Sequence, residues 1–152
     1  MSVTVSGWYG STLHDLLFSA QLAVDLSVTT NKVALYTNSL TPNFALAGDT
    51  GYSASPYTSN EISGTGYTAG GAAVASPTLT ENPTGTISWD IANTSWTTST
   101  ITNARAAYIY ANALSAKNGI VLITFGADYS TSAGTFTIQW ASAGVAGFTF
   151  HG

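Results

Sequence analysis

The second half of the chain is a series of short apolar segments, separated every 8 to 15 residues or so by Gly, Pro, Asn, Asp and Ser. Six such segments follow residue 71: AAVASPTLT (72–80), GTISWDI (85–91), ARAAYIYA (104–111), GIVLITFG (119–126), GTFTIQWA (134–141) and VAGFTFH (145–151). β-branched and aromatic residues in this rhythm are typical of all-β domains. The pattern predicts a mainly β fold, either an antiparallel β-sandwich or a jelly-roll-like barrel.

Alternation within the segments predicts which faces are buried. In 134–141, Phe136, Ile138 and Trp140 share one face and hydroxyl and amide side chains share the other. The segment 119–126 is apolar on both faces, which is typical of a central strand. An earlier segment, NKVALYT (31–37), alternates in the same way and predicts the first strand of the main sheets.

The N-terminal part predicts different structure. Residues 1–10 alternate Val with polar residues and indicate an arm or a short strand. In the next stretch Thr12 and Asp15 have capping-box spacing and Leu recurs at helical intervals, so we expect one N-terminal helix over about residues 11–25. Nothing separates the rest into two units, and 11–152 is predicted to form a single β domain.

A long segment, residues 38–71, has six glycines, two prolines and almost no apolar periodicity. We expect a long loop here, and loops of this length are usually functional. Its GTGYTAGG stretch (64–71) lacks the Lys-Ser/Thr of a phosphate-binding loop. These glycines are predicted to serve positive φ angles or the close approach of another chain, with Tyr67 as the anchor of that contact.

Charged residues are scarce: the 152 residues include seven Asp or Glu and three Lys or Arg. A neutral surface gives little repulsion between copies and therefore favours assembly. The three basic residues stand apart in the sequence, so nucleic acid is not an expected partner.

Apolar runs are too short for a transmembrane helix, and we expect synthesis in the cytoplasm and no membrane partner.

No residue pattern predicts catalysis. Asp90 and Asp128 lie near strand ends, where turn formation is the expected role. His14 and His151 show no metal-ligand spacing, and the chain has no Cys. We therefore expect no enzymatic activity, no metal and no cofactor. Aromatic residues could form a sugar-binding platform, but at strand spacing core packing is favoured: Trp89, Trp96, Trp140, Tyr108 and Tyr110.

The candidate partner-binding residues near the N-terminus are Val3, Val5, Trp8 and Tyr9. An extended VTV arm can add a strand to the edge of a capsid sheet, with Val3, Val5 and Trp8 filling pockets. The alternative is an ordinary edge strand of the chain's own domain, and for Trp8 and Tyr9 a core position is as well supported as an interface.

Four sequence pieces carry a resemblance to a known group: KVALYT (32–37), EISGTGYTAGG (61–71), Ser95-Trp96 ahead of ARAAYIY, and the FG…AGTFTI ending. In this order they resemble small structural proteins from tailed-phage genomes. The resemblance spans roughly residues 11–150 and implies a virion component of the head-decoration or minor-capsid kind. It supplies no catalytic residues.

The resulting expectation is a capsid decoration, or cement, protein on the virion surface. Its partners would be the major capsid protein and other copies of itself, as a homotrimer. The alternative is a tail-tip or fibre module that binds host-surface glycans.

Overall fold

The computed structural model describes residues 6–9, 12, 22–45, 49, 51–83 and 85–149. Within them lie eight strands: β1 (Gly7–Trp8), β2 (Lys32–Tyr36), β3 (Ala72–Ala73), β4 (Thr78–Asn82), β5 (Thr86–Asp90), β6 (Thr94–Tyr110), β7 (Gly119–Ile138) and β8 (Ala146–Thr149). The large sheet has the order β1-β7-β6-β2-β3 and the small sheet the order β4-β5-β8. All pairings are antiparallel, which confirms the predicted mainly β, antiparallel class.

Most of the helix predicted over 11–25 lies outside the described residues. Residues 22–25, however, are described and are not helical. Asp25 accepts hydrogen bonds from both the backbone nitrogen and the hydroxyl of Ser27, which forms a local turn. Asp side chains compete with helix formation in this way, so the predicted range was wrong at its C-terminal end.

The two longest strands, β6 and β7, form a hairpin that dominates the large sheet. The segments 119–126 and 134–141 were predicted as separate strands, but residues 119–138 form one continuous strand. The intervening Gly, Asp and Ser residues form bulges in it, marked by repeated register shifts against β6. Bulges and turns use the same residue types, which is why the sequence pattern indicated a break.

Both faces of the large sheet are buried around β2. Val33 and Leu35 face one core cluster, which also contains Trp89 of the small sheet. Ala34 and Tyr36 face a second cluster on the opposite side. The predicted alternation of β2 is confirmed, as is the burial of Phe136 and Ile138 on one face of β7.

The second cluster is built largely from tyrosines, and the segment 38–71 covers it. Tyr57 from this segment stacks on Tyr108 of β6, with ring centroids 4.1 Å apart. Tyr52 stacks in the same way on Tyr110, at 4.6 Å. The described residues of 38–71 are mainly turns, so this segment contributes packing to the sheet without adding a regular strand. We refer to Tyr9, Tyr36, Tyr52, Tyr57, Tyr108 and Tyr110 as the tyrosine layer.

Candidate interaction surfaces

Exposed large hydrophobic side chains mark two surfaces of the described structure. Leu79 and Tyr129 are each 53% exposed and Phe148 is 36% exposed. Leu79 and Phe148 belong to the small sheet, whereas Tyr129 belongs to β7. Exposed apolar groups that lie close together mark binding surfaces more often than isolated ones do.

The first surface lies on the core-facing side of the small sheet. Ile87 pairs with Phe148 on one side and with Glu81 on the other, and Leu79 pairs with the buried Trp89, so these side chains share one face. Phe148 stacks on Trp8 of β1, with ring centroids 4.9 Å apart. The face therefore extends past the buried core and continues onto the edge of the large sheet. We call Trp8, Leu79, Ile87 and Phe148 the apolar strip.

The edge strand that carries Leu79 of this strip is flanked by two prolines. β4 runs from Thr78 to Asn82, with Pro77 before it and Pro83 after it, and all five strand residues are exposed. Proline cannot donate to a strand ladder and limits pairing at a sheet edge. A partner on this side is therefore expected to contact side chains of the strip rather than to lengthen the sheet.

The second surface is a groove of about 490 Å³ beside β7. β7 curves so that Phe125 and Phe136, eleven positions apart, have ring centroids 6.5 Å apart. Tyr129 packs edge-on against Phe125 at 6.2 Å and stands at the rim. The other described lining residues are Ile138 and several hydroxyl or amide side chains, including Thr135 and Gln139, and none of the described lining residues is Asp, Glu, Lys or Arg. We call this the β7 groove.

A large bulge produces the curvature. Between the pairs Ala104–Tyr129 and Ala106–Thr124, β6 advances two residues while β7 advances five. Gly126 lies within the bulge with a φ of 75°, in the left-handed region that glycine favours. Arg105 and Asp128 form an ion pair across the bulge, with nitrogen and oxygen 3.2 Å apart. Asp128, expected to serve in a turn, thus lies opposite a cation in a bulged strand.

Tyr67, predicted as the anchor for another chain, is held by contacts within its own chain. Its hydroxyl donates to Oε1 of Glu61 at 2.8 Å and accepts from the Leu35 backbone nitrogen at 2.9 Å. Its ring packs against Trp96, with centroids 5.7 Å apart. Burial raises the pKa of Tyr67 well above its usual range.

The glycines around Tyr67 do adopt the predicted conformations. Gly66, Gly70 and Gly71 all have positive φ angles. The chain that approaches them closely is their own: a Cβ on Gly71 would lie 1.9 Å from the Val33 carbonyl oxygen. The close contact expected from another chain is thus made by β2.

The four N-terminal candidates have different locations. Val3 and Val5 lie outside the described residues. Trp8 is half-buried and pairs with Val121, so the alternative of an edge strand in its own domain describes the structure here. Tyr9 is completely buried in the tyrosine layer, where its hydroxyl hydrogen-bonds that of Tyr57. Tyr9 therefore offers no surface to a partner in this structure.

The tyrosine layer has its own polar partners. The Tyr57 hydroxyl also donates to Asp49 at 3.2 Å, and the same carboxylate oxygen accepts from the Asn43 backbone nitrogen at 2.6 Å. Burial raises the pKa of the Asp49 carboxyl, and the Asn43 hydrogen bond opposes that rise. Burial also raises the pKa of Tyr57 and Tyr108 well above the usual range.

Sequence reasoning missed Leu79, Phe148 and Tyr129. For Leu79 a signal existed, because a TLTEN strand between two prolines indicates an edge strand whose apolar side chain is only partly covered. The exposure of Tyr129 depends on the bulge in β7, and no local pattern distinguishes that bulge from a turn.

The described residues hold no group of three His, Cys, Asp or Glu side chains placed to bind a metal ion. In the same part of the chain, no helix has the length and apolar character needed to span a membrane. The five aromatic residues considered as a sugar-binding platform were expected to pack in the core. Four of them are buried and the fifth is half-buried: Trp89, Trp96, Tyr108 and Tyr110, and Trp140.

Comparison with protein-family models finds no match for this chain. Searches of curated proteins and of solved structures also find no match.

Proposed function

We propose that this chain is a non-enzymatic structural protein of a tailed-phage virion, which binds the outer capsid surface as a cement subunit. The observation that carries the proposal is the apolar strip, whose Leu79 and Phe148 remain exposed on a protein with few charges. The four sequence pieces that resemble small phage structural proteins support the same role. In this role the partners are the major capsid protein and other copies of the chain.

The chemistry of the strip suits a permanent contact. Aromatic and aliphatic side chains dominate the buried centres of stable interfaces, whereas charged side chains are depleted there. Burial of exposed apolar area contributes about 25 cal/mol per Å². Few charges oppose the approach of a second protein, because the whole chain has three basic and seven acidic residues.

Attachment as a homotrimer fits a shell with threefold positions. Three linked copies bind as one multivalent unit, so contacts that are individually weak combine through their effective concentration. The N-terminal arm would add to each contact. In this proposal Val3 and Val5, which precede Trp8 in the chain, add a strand to a sheet edge on the capsid.

The fold proposed for this role is a β-sandwich, with the large and small sheets as its two layers. Its support is the shared core cluster, in which Trp89 of the small sheet belongs with Val33 and Leu35 of the large sheet. Sandwich layers pack about 10 Å apart through their inward-facing side chains. A rigid body of this kind suits a clamp that must resist outward pressure on a shell.

Cryo-electron microscopy of the purified virion tests the assignment directly. Density for this chain at threefold or quasi-threefold positions of the capsid is the expected result. Density confined to the tail would overturn the cement role and favour a tail-tip or fibre module that binds host-surface glycans.

A second experiment tests the strip itself, by adding purified protein to heads that lack it and measuring co-sedimentation. Leu79→Ser should reduce binding about tenfold, since it removes the most exposed apolar side chain of the strip. Tyr129→Ser is the matched control, because Tyr129 is equally exposed but lies on the other surface. Equal binding by both variants would exclude the strip as the attachment surface.

A further inference from the structure

We propose that the β7 groove is a binding site for a neutral carbohydrate, with the exposed ring of Tyr129 as the stacking platform. The proposal does not rest on capsid attachment, because the groove and the apolar strip use different strands. It applies equally to a subunit on a head or on a tail.

The shape of the groove suits a small ligand. Its volume of about 490 Å³ lies within the range of roughly 300 to 1,000 Å³ that is typical of small-molecule sites. Phe125 and Phe136 form an apolar floor, and Tyr129 projects from it with half of its surface exposed. A sugar ring presents an apolar face of C–H groups, which packs against an aromatic ring.

The hydrogen-bonding groups of the groove are uncharged, and some are free. Within the described part of the chain, the side chains of Tyr129, Thr135 and Gln139 make no hydrogen bond. By contrast, the hydroxyl of Thr131 donates to the Ser99 carbonyl oxygen at 3.2 Å. Free hydroxyl and amide groups beside an aromatic ring match the alternating hydroxyls and apolar faces of a sugar.

The charge of the groove selects for a neutral ligand. The nearest ionic groups in the bulge, Arg105 and Asp128, are paired with each other and are not part of the lining. Among the described residues that line the groove, no cation is therefore available to bind a uronate, sulfate or phosphate. An anionic glycan would have to lose hydration without compensation.

An extended peptide is the competing occupant, since the groove lies beside the outer edge of β7. Among the described residues, β1 pairs with that edge at Val121 and Leu122, and the Ser6 hydroxyl oxygen accepts from the Thr124 backbone nitrogen at 2.9 Å. Beyond them, the β7 backbone is interrupted by positive φ angles at Gly126 and Ala133 and by several register shifts. Bulges of this kind prevent a regular ladder, so strand addition is disfavoured and side-chain recognition is favoured.

The test is binding of the whole chain to an immobilised glycan array with three arms: neutral bacterial cell-surface saccharides, neutral storage glucans, and anionic polysaccharides. The expected result is retention by neutral glycans only, and the first two arms distinguish a host-surface ligand from a glucan. Binding is then quantified in solution by titration with the oligosaccharide that the array retains.

Two variants test the residues. Tyr129→Ala should weaken binding about five- to tenfold through loss of the ring contact, and Gln139→Ala by a few-fold, roughly. Both side chains are exposed, so the melting temperature should not change, and Leu79→Ser should bind like the parent chain. Retention by the anionic arm alone, no retention by either neutral arm, or unchanged binding by Tyr129→Ala would each overturn the proposal.

Discussion

The hydroxyl of Tyr67 lies 2.8 Å from Oε1 of Glu61 and joins the segment 38–71 to the backbone of β2. Glu61 also accepts from the Tyr52 hydroxyl at 2.7 Å and from the Gly70 backbone nitrogen at 2.7 Å. One carboxylate thus connects three points of a segment that has almost no regular secondary structure. This connection explains how so long a segment covers a sheet face without strands of its own.

Replacing Glu61 should therefore weaken the packing of the segment 38–71 on the sheet. We expect Glu61→Ala to lower the free energy of unfolding by about 3 kcal/mol, because hydrogen bonds to a charged group are lost and their donors stay partly buried. Glu61→Gln retains an acceptor oxygen and should cost about 1 kcal/mol. Urea denaturation followed by tryptophan fluorescence measures both. Glu81→Ala on exposed β4 is the control, and a loss there equal to that of Glu61→Ala would contradict the role of Glu61.

Two hydroxyls of the tyrosine layer should respond in opposite ways to removal. The Tyr57 hydroxyl bonds both Tyr9 and Asp49, whereas the buried Tyr108 hydroxyl has no hydrogen-bond partner in the described structure. Tyr57→Phe should therefore destabilise the fold by about 1 to 2 kcal/mol. Tyr108→Phe should be neutral or stabilising by up to about 1 kcal/mol, since it removes an unsatisfied buried group. Thermal unfolding of the two variants in parallel measures the difference. A lower melting temperature for Tyr108→Phe than for Tyr57→Phe would contradict the prediction.

Two glycines with nearly equal φ angles allow the cost of backbone strain to be distinguished from the cost of a steric overlap. Gly71 has a φ of 73° and Gly126 a φ of 75°. At Gly126 an added Cβ meets nothing within 4 Å, whereas at Gly71 it would overlap the Val33 carbonyl. Gly126→Ala should therefore cost only about 1 to 2 kcal/mol, the penalty of the left-handed conformation. Gly71→Ala should cost about 3 kcal/mol or more, because β2 and β3 must move apart. Equilibrium unfolding measures both variants. Equal losses in the free energy of unfolding would show that the close approach of Gly71 to Val33 adds no cost.

How far the sequence predicts this structure depends on the range of the interactions. The alternating faces of β2 and the buried face of Phe136 and Ile138 follow from a period of two, which is local. The continuity of β7 does not, because a bulge at Gly126 and a hairpin turn favour the same residues. The candidate partner-binding residues are less predictable from sequence. Tyr9 and Tyr67 are aromatic residues in irregular segments, and their burial depends on partners far away in sequence. Leu79 differs from them, because the prolines on either side of its strand are a local signal of an edge position.

Alkaline pH should unfold the protein cooperatively, because the tyrosine layer resists ionisation. Burial raises the pKa of Tyr52 to about 12 and raises the pKa of Tyr9, Tyr36 and Tyr108 further. In the unfolded chain tyrosine ionises near pH 10 or so. Above that pH the unfolded state binds fewer protons than the folded state, so stability falls as pH rises. Tyr9, Tyr36 and Tyr108 each contribute about 1.4 kcal/mol per pH unit to the fall, and the more exposed Tyr52 contributes less.

Tyrosinate absorbance at alkaline pH, recorded together with circular dichroism, measures this effect. The ionisation of the buried tyrosines should coincide with loss of the β signal in one steep transition, and should return to an ordinary titration in concentrated guanidinium chloride. Gly71→Ala should shift the transition to lower pH, since it lowers the free energy of unfolding and leaves every tyrosine in place. A gradual titration of all tyrosines near their ordinary pKa, with the β signal intact, would show that the layer is open to solvent and that the segment 38–71 does not seal it.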